Sequence, residues 1–306
     1  MTEAQGTASQ SAWTVRRLLA WVADAFTRRG LDSPKLSAEI LLSHVLGVDR
    51  LKLYTDPERE PSKEQLDELR ALVARALKDE PVQYLTGRAW FFGLPFAVDR
   101  RVLVPRPCTE LMVETVLQRA RAVAGAQGAA RARGADVRIV DVCTGSGCVG
   151  IALAKHLKEA LVVATDLSTD AIDVARSNAQ RHGVNVDLRQ GDLFAALGPR
   201  ERASFHFVLA NPPYIPDAEW PGVPPNVKRH EPDLALRGGP DGLAVVRPLI
   251  EQAADWLAPG GTLMVETAAR TAQAAFRIAE DADRYADGEV VRDLDGLERF
   301  VLVTGR

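Results

Sequence analysis

The stretch Val137-Arg138-Ile139-Val140-Asp141-Val142-Cys143-Thr144-Gly145-Ser146-Gly147-Cys148-Val149-Gly150 decides the fold. Residues 137–142 form a short β-branched run of buried-strand type, and residues 149–156 have helical length and period. Between them the glycines let the backbone turn tightly, approach a ligand closely and present N–H groups at a helix N-terminus. Asp166 ends the next apolar run, about 20 residues on, where a carboxylate can accept hydrogen bonds from both hydroxyls of a ribose. Together they describe a site for a nucleoside-containing ligand. Gly145, Gly147 and Gly150 also spell G-x-G-x-x-G, the dinucleotide fingerprint, so the loop alone leaves NAD and S-adenosylmethionine both open. Cys143 and Cys148 are small packing residues in this reading, because no histidine follows in a position to activate a thiol.

Outward from the loop, strands alternate with helices, the pattern of a doubly wound α/β sheet. Residues 161–166, 205–210 and 261–266 are further buried-strand runs, while 170–182, 243–257 and 268–281 have helical period. Two late runs, 289–294 and 299–304, flank Asp295-Gly296 and predict a closing hairpin that adds an antiparallel edge. Towards the N-terminus the pattern changes. Val15, Leu18, Leu19, Val22 and Phe26, then Ala38, Leu41, Leu42 and Val45, then Leu66, Leu69, Val73 and Leu77 recur with helical spacing and predict a small bundle. Residues 81–105 are β-branched and aromatic with Gly87, Gly93 and Pro95 interrupting, which suits a hairpin connector. A helix is expected after Pro107, with Thr109 and Glu110 at its start, running towards Arg121. The Ala/Gly/Arg-rich residues 122–134 predict a solvated loop or frayed helix end. The expected division is therefore 1–80 a helical bundle that recognises the substrate, 81–108 a β-hairpin connector and 109–306 the ligand-binding domain that carries the chemistry.

The 306 residues carry 38 Lys+Arg against 41 Asp+Glu, a formal charge of −3. That balance offers no broad cationic footprint for sequence-independent binding to phosphate backbones, so DNA binding is not expected. No signal-peptide run and no stretch of about 18 apolar residues is present, so no membrane association and a cytoplasmic location are expected. Three cysteines, Cys108, Cys143 and Cys148, cannot all pair, and no second Cys/His cluster completes a zinc site; reduced thiols and no metal are expected.

The run 205–210 leads directly into Asn211-Pro212-Pro213-Tyr214. In a doubly wound sheet, ligands sit beyond the carboxyl ends of strands, so this tetrapeptide should line the same crevice as the glycine loop. The prolines fix φ and leave two backbone carbonyls without local N–H partners. Such an arrangement can grip a planar NH2 group, with one N–H given to the Asn211 side-chain oxygen and the other to the Pro212 carbonyl. It favours transfer to an amide or amino group over hydride transfer. Tyr214 adds an aromatic wall that can pack on an amide plane or in the core.

These residues carry a resemblance to the HemK/PrmC family of protein-glutamine methyltransferases. It extends over nearly the whole chain: Ala38-Glu39-Ile40-Leu41-Leu42, Glu80-Pro81-Val82-Gln83-Tyr84-Leu85-Thr86-Gly87, Phe92-Gly93-Leu94, Val104-Pro105-Arg106-Pro107 with Thr109-Glu110, the glycine loop, Asp166 and Asn211-Pro212-Pro213-Tyr214-Ile215. The resemblance implies a seven-stranded Rossmann-like methyltransferase sheet. It also implies methyl transfer from S-adenosylmethionine to the glutamine of the Gly-Gly-Gln motif in class I peptide-chain release factors. A monomer is expected. Asp141, Cys143, Thr144, Gly145, Ser146, Gly147, Asp166, Leu193 and Asn211 would then hold the cofactor. Asn211, Pro212, Pro213 and Tyr214 would hold the substrate amide, with Asn211, Pro212 and Tyr214 in catalytic roles. Arg106 would meet the protein substrate or neutralise Glu110.

Two departures stand out: Cys143-Thr144-Gly145 replaces the usual Gly-Thr-Gly, and Pro107-Cys108-Thr109-Glu110 replaces Pro-Glu-Thr-Glu. Cys-Thr-Gly-Ser-Gly-Cys and Arg229-His230-Glu231-Pro232 are similar to the sister enzyme PrmB, which acts on a large-subunit ribosomal protein. Asn-Pro-Pro-Tyr is also shared with amino methyltransferases of nucleic acid. The N-terminal bundle and Pro-Arg-Pro-x-Thr-Glu favour the release factor. Lys228-Arg229-His230 reads as a solvated loop cluster rather than part of a cover over the site formed with residues 216–226. His44, His156, His182 and His206 form no catalytic arrangement.

Overall fold

The computed structural model describes residues 13–125 and 137–306. The chain divides into two compact units, one ending at Thr86 and one beginning at Gly87. In the first, α1 (Val15–Arg29), α2 (Pro34–Leu46), α3 (Arg50–Thr55), α4 (Lys63–Ala76) and α5 (Val82–Thr86) enclose a core that includes Phe26, Leu41, Leu42, Leu53 and Leu69. Each boundary has a local cause. Gly30 and Gly47 end α1 and α2 in left-handed conformation, and Ser62 caps α4 by accepting the Gln65 N–H while Gln65 accepts the Ser62 N–H. Residues 82–86 are helical rather than strand-like, because that places Val82 and Leu85 together in the bundle core.

The second unit opens with an antiparallel hairpin, β1 (Arg88–Phe91) and β2 (Leu94–Ala97), turned at Gly93. A 3-10 turn over Pro107–Thr109 leads into α6 (Glu110–Gly125). Then follow β3 (Arg138–Val142), α7 (Cys148–His156), β4 (Leu161–Asp166), α8 (Thr169–His182), β5 (Asp187–Gln190), β6 (Phe205–Ala210), α9 (Pro225–Lys228), α10 (Val246–Ala253), β7 (Leu257–Glu266), α11 (Ala272–Asp281), β8 (Tyr285–Arg292) and β9 (Glu298–Gly305). The larger sheet has seven strands in the order β5-β4-β3-β6-β7-β9-β8. The first five are parallel, and β9 and β8 close the sheet antiparallel. Both faces are covered: Ile139 packs with Met112, Ile151 and Phe300 on one side, and Val140 with Leu249, Phe205 and Val265 on the other. This is why the central strands read as unbroken apolar runs instead of alternating.

One strand and several boundaries differ from the sequence pattern. β5 was not expected, because Asp187-Leu188-Arg189-Gln190 is a largely polar edge strand with no apolar run. α10 occupies only Val246–Ala253, and β7 begins at Leu257 instead of residue 261. α6 continues to Gly125, and most of the Ala/Gly/Arg-rich stretch lies outside the described residues.

Register sets up the site. Val142 pairs with Thr165 and with Ala210, and Ala210 pairs with Val265. The next residue on each of the four strands is therefore Cys143, Asp166, Asn211 or Glu266, at one carboxyl edge. The chain winds outward from β3 to β5 on one side and from β6 on the other, so the crevice at this edge lies at the switch point of the fold.

Candidate active site

The glycine loop is built by three different demands. Cys143, Gly145 and Gly147 all have positive φ, of 59°, 55° and 81°. A Cβ on Gly147 would lie 2.7 Å from Ile151 Cδ1 and 3.1 Å from Ala175 Cβ, so packing as well as conformation requires glycine there. A Cβ on Gly145 would meet nothing within 4 Å, which leaves that face of the loop open. At Gly150 a Cβ would approach Asp141 Oδ2 to 3.3 Å, so glycine lets α7 sit close on β3. Cys143 occupies a left-handed position that costs an L-residue about 1–2 kcal/mol, which accounts for the glycine that the family pattern places there. Burial drives its thiol and that of Cys148 well above the ordinary range, the latter to about 12, so both are neutral packing groups.

Asp141 braces the loop from below. Its Oδ2 accepts the Thr144 hydroxyl at 2.6 Å and the Gly150 N–H at 3.0 Å. Burial pushes its carboxyl up from 3.8 to about 6, with these two hydrogen bonds opposing the shift. Asp166 holds the loop from the next strand: its Oδ2 accepts the Gly145 N–H at 2.8 Å and its Oδ1 the Ser168 N–H at 2.9 Å. Its carboxyl is also raised, chiefly by burial. Leu193, at φ 47°, turns its carbonyl to the Thr165 hydroxyl at 3.0 Å. Buried Asn178 ties the loop to the hairpin, donating to Ser146 O and Ala97 O and accepting the Ala97 N–H.

A pocket of about 1060 Å³, open mouth included, lies over this edge. Among the residues expected at the site, Arg106, Asp141, Cys143, Thr144, Gly145, Ser146, Asp166, Leu193, Asn211 and Pro213 line it, whereas Gly147, Pro212 and Tyr214 do not. Pro232, Leu234 and Ala235 add an opposite wall that sequence reasoning did not single out.

At the end of β6, Asn211 donates through Nδ2 to Thr109 Oγ1 at 3.3 Å. Thr109 in turn donates to Glu266 Oε2 at 2.7 Å, and the Tyr214 hydroxyl donates to Glu266 Oε1 at 3.0 Å. The Cys108 thiol, pushed up to about 11 mainly by burial, points at the same oxygen at 3.7 Å. Glu266 is fully buried. Burial raises its carboxyl, while Thr109, Tyr214, the Arg299 charge and Cys108 pull it back. Tyr214 is thus turned towards a carboxylate and packs against the core on one face of the sheet. Glu266 was not singled out in sequence, although it satisfies the rule that selected Asp166: a carboxylate ending an apolar run.

Arg106 does not pair with Glu110 in this structure. Its guanidinium pairs with Glu231 at 2.7 Å, and the buried Glu231 also accepts the Val104 N–H. Glu110 instead accepts the Phe92 N–H at 2.7 Å. Lys228 donates to the Trp220 carbonyl and lies over the Trp220 ring, while His230 Nδ1 lies 3.0 Å from Arg100 Nη2, 130 positions away in sequence.

A glycine loop braced by one buried and one half-buried carboxylate, beside an Asn-Pro-Pro-Tyr strand end on a seven-stranded sheet, belongs to an S-adenosylmethionine-dependent methyltransferase. The catalytic domain of hMettl16, solved in complex with MAT2A 3'UTR hairpin 6, shares the fold at a TM-score of 0.51 and 14% identity, over 78% of this chain and 81% of that one. Residues 17–87 match the family described as PrmC N-terminal domain and residues 112–220 that described as Methyltransferase small domain. Similar proteins named "Release factor glutamine methyltransferase" come from Chlorobaculum tepidum, 40% identical over 95% of this chain and 97% of that one, and Geobacter sulfurreducens, 38% identical over 94% and 96%. The chain belongs to the release factor glutamine methyltransferase family.

Proposed function

We propose that this chain transfers a methyl group from S-adenosylmethionine to the side-chain amide nitrogen of the glutamine in the Gly-Gly-Gln motif of class I release factors. The observation that supports it most directly is that Asn211 lines the pocket and donates through Nδ2 to Thr109, so its side-chain oxygen is not used in that contact and can accept an N–H. Similarity over nearly the full length, including residues 17–87, supports the release factor over a ribosomal protein as substrate.

The pocket residues fit the cofactor. Each Asp166 oxygen already accepts one backbone N–H and keeps a lone pair for a ribose hydroxyl. Gly145 leaves the loop face open to close approach, and Cys143 and Leu193 add apolar wall. S-adenosylmethionine supplies a methyl carbon made electrophilic by its sulfonium. A glutamine amide nitrogen is a poor nucleophile, because its lone pair is conjugated with the carbonyl, as the roughly 18–20 kcal/mol rotation barrier of amides reflects. The contribution of the protein is orientation. The Asn211 side-chain oxygen and the Pro212 carbonyl each take one N–H, which aims the π-type lone pair at the methyl carbon. As attack proceeds the nitrogen becomes positive and both acceptors bind it more strongly than in the ground state. The nitrogen then releases its proton to water. No side-chain base is required, and Arg106 with Pro213 shapes the approach of the protein segment. The enzyme acts as a monomer in the cytoplasm on a protein and not on DNA, in keeping with 41 acidic against 38 basic residues. Among the described residues no helix is long and apolar enough to cross a membrane.

Asn211→Ala removes an acceptor that faces developing charge, and single-turnover methylation of a release factor at saturating cofactor should slow by about 10²–10³-fold. Cofactor affinity should change far less. An alanine variant within about threefold of the parent rate would remove Asn211 from the mechanism.

A further inference from the structure

We infer that Glu266, acting through Thr109, is the positioning residue that sets which way the Asn211 amide faces. A threonine hydroxyl has one proton. In the short 2.7 Å contact that proton goes to Glu266 Oε2, so Thr109 has only lone pairs left to offer Asn211, 3.3 Å away. Asn211 must therefore turn its NH2 to Thr109 and its oxygen to the other side. As the carboxylate, Glu266 accepts on both oxygens. Tyr214 and Cys108 present hydrogens to its other oxygen, and both are held protonated by burial beside its charge. Reversing one hydrogen bond at Glu266 would reverse the chain: Thr109 would donate to Asn211, and the amide would present NH2 where an acceptor is needed. The three residues lie on different segments, at the start of α6 and at the ends of β6 and β7, so only the assembled sheet edge creates the relay.

The inference rests on the role given to Asn211 above, and the test separates the two. Parent enzyme is assayed first on purified release factor, with glutamine methylation read by mass spectrometry; no methylation by the parent overturns the functional reading itself. Glu266→Gln, Thr109→Val, Thr109→Ser and the Glu266→Gln/Thr109→Val double variant are then compared for kcat, KM and cofactor affinity by calorimetry. Glu266→Gln keeps shape but can donate to Thr109, and should lower kcat by about tenfold or more, the scale of one misdirected hydrogen bond. KM and cofactor affinity should hold within about threefold, because the cofactor loop is untouched. Thr109→Val should lower kcat similarly, Thr109→Ser should restore it, and the double variant should be no slower than the worse single one, since both changes cut one chain. Thr109→Val tests the relay with Glu266 intact, should Glu266→Gln fail to fold. Parent-like kcat in Thr109→Val, failure of serine to rescue, or multiplicative losses in the double variant would overturn the relay.

Discussion

Asp141 and Asp166 stand 25 positions apart in sequence and share the underside of one loop, yet their tasks diverge because their surroundings do. Both line the pocket, but each Asp166 oxygen accepts one backbone N–H, whereas Asp141 directs a single oxygen to both Thr144 and Gly150. Its burial has a measurable consequence. The folded protein holds a proton on Asp141 up to about pH 6, whereas the unfolded chain releases it near 3.8. Stability from this group is therefore fully present below about pH 4 and is lost as pH rises through 6, a difference of about 3 kcal/mol at roughly 1.4 kcal/mol per unit. Asp141→Asn keeps an acceptor oxygen for both partners and does not titrate. Denaturant titrations from pH 4 to 6 should show the parent losing stability relative to the variant as pH rises. A constant gap between the two proteins would show that Asp141 does not titrate in this window.

At the scale of elements, the β3–loop–α7 unit was legible because its signals are local: a β-branched run, three glycines and a helical period. What remained hidden was why each glycine is there. Gly147→Ala meets both positive φ and a 2.7 Å contact with Ile151, and should cost about 2–3 kcal/mol in thermal or denaturant unfolding. Gly145→Ala meets only the conformational cost, about 1 kcal/mol, but closes the open face of the loop. Its main effect should be weaker S-adenosylmethionine binding by calorimetry. Equal stability losses in the two variants would show that packing against Ile151 and Ala175 does not distinguish them. β5 was illegible for the opposite reason, since an edge strand of Asp, Leu, Arg and Gln has no apolar pattern to read.

Across the whole molecule, the division into a unit ending at Thr86 and one beginning at Gly87 suggests separate tasks. Each has its own apolar core, so residues 87–306 should fold without the bundle. They should retain S-adenosylmethionine binding by calorimetry and lose methylation of intact release factor. Full activity of the truncated chain on that factor would refute substrate recognition by the bundle.

The sequence by itself determined the α/β alternation, the N-terminal bundle, the glycine loop with Asp166, and Asn211-Pro212-Pro213-Tyr214 at a strand end, because periodicity, turn chemistry and short motifs act over a few residues. Only the tertiary structure decided that Arg106 pairs with Glu231, 125 positions away, and that Thr109 and Glu266 meet across 157. Such partners are chosen by sheet register and by the need of a buried carboxylate for donors, and a carboxylate cannot be known to be buried until the strands beside it are in place.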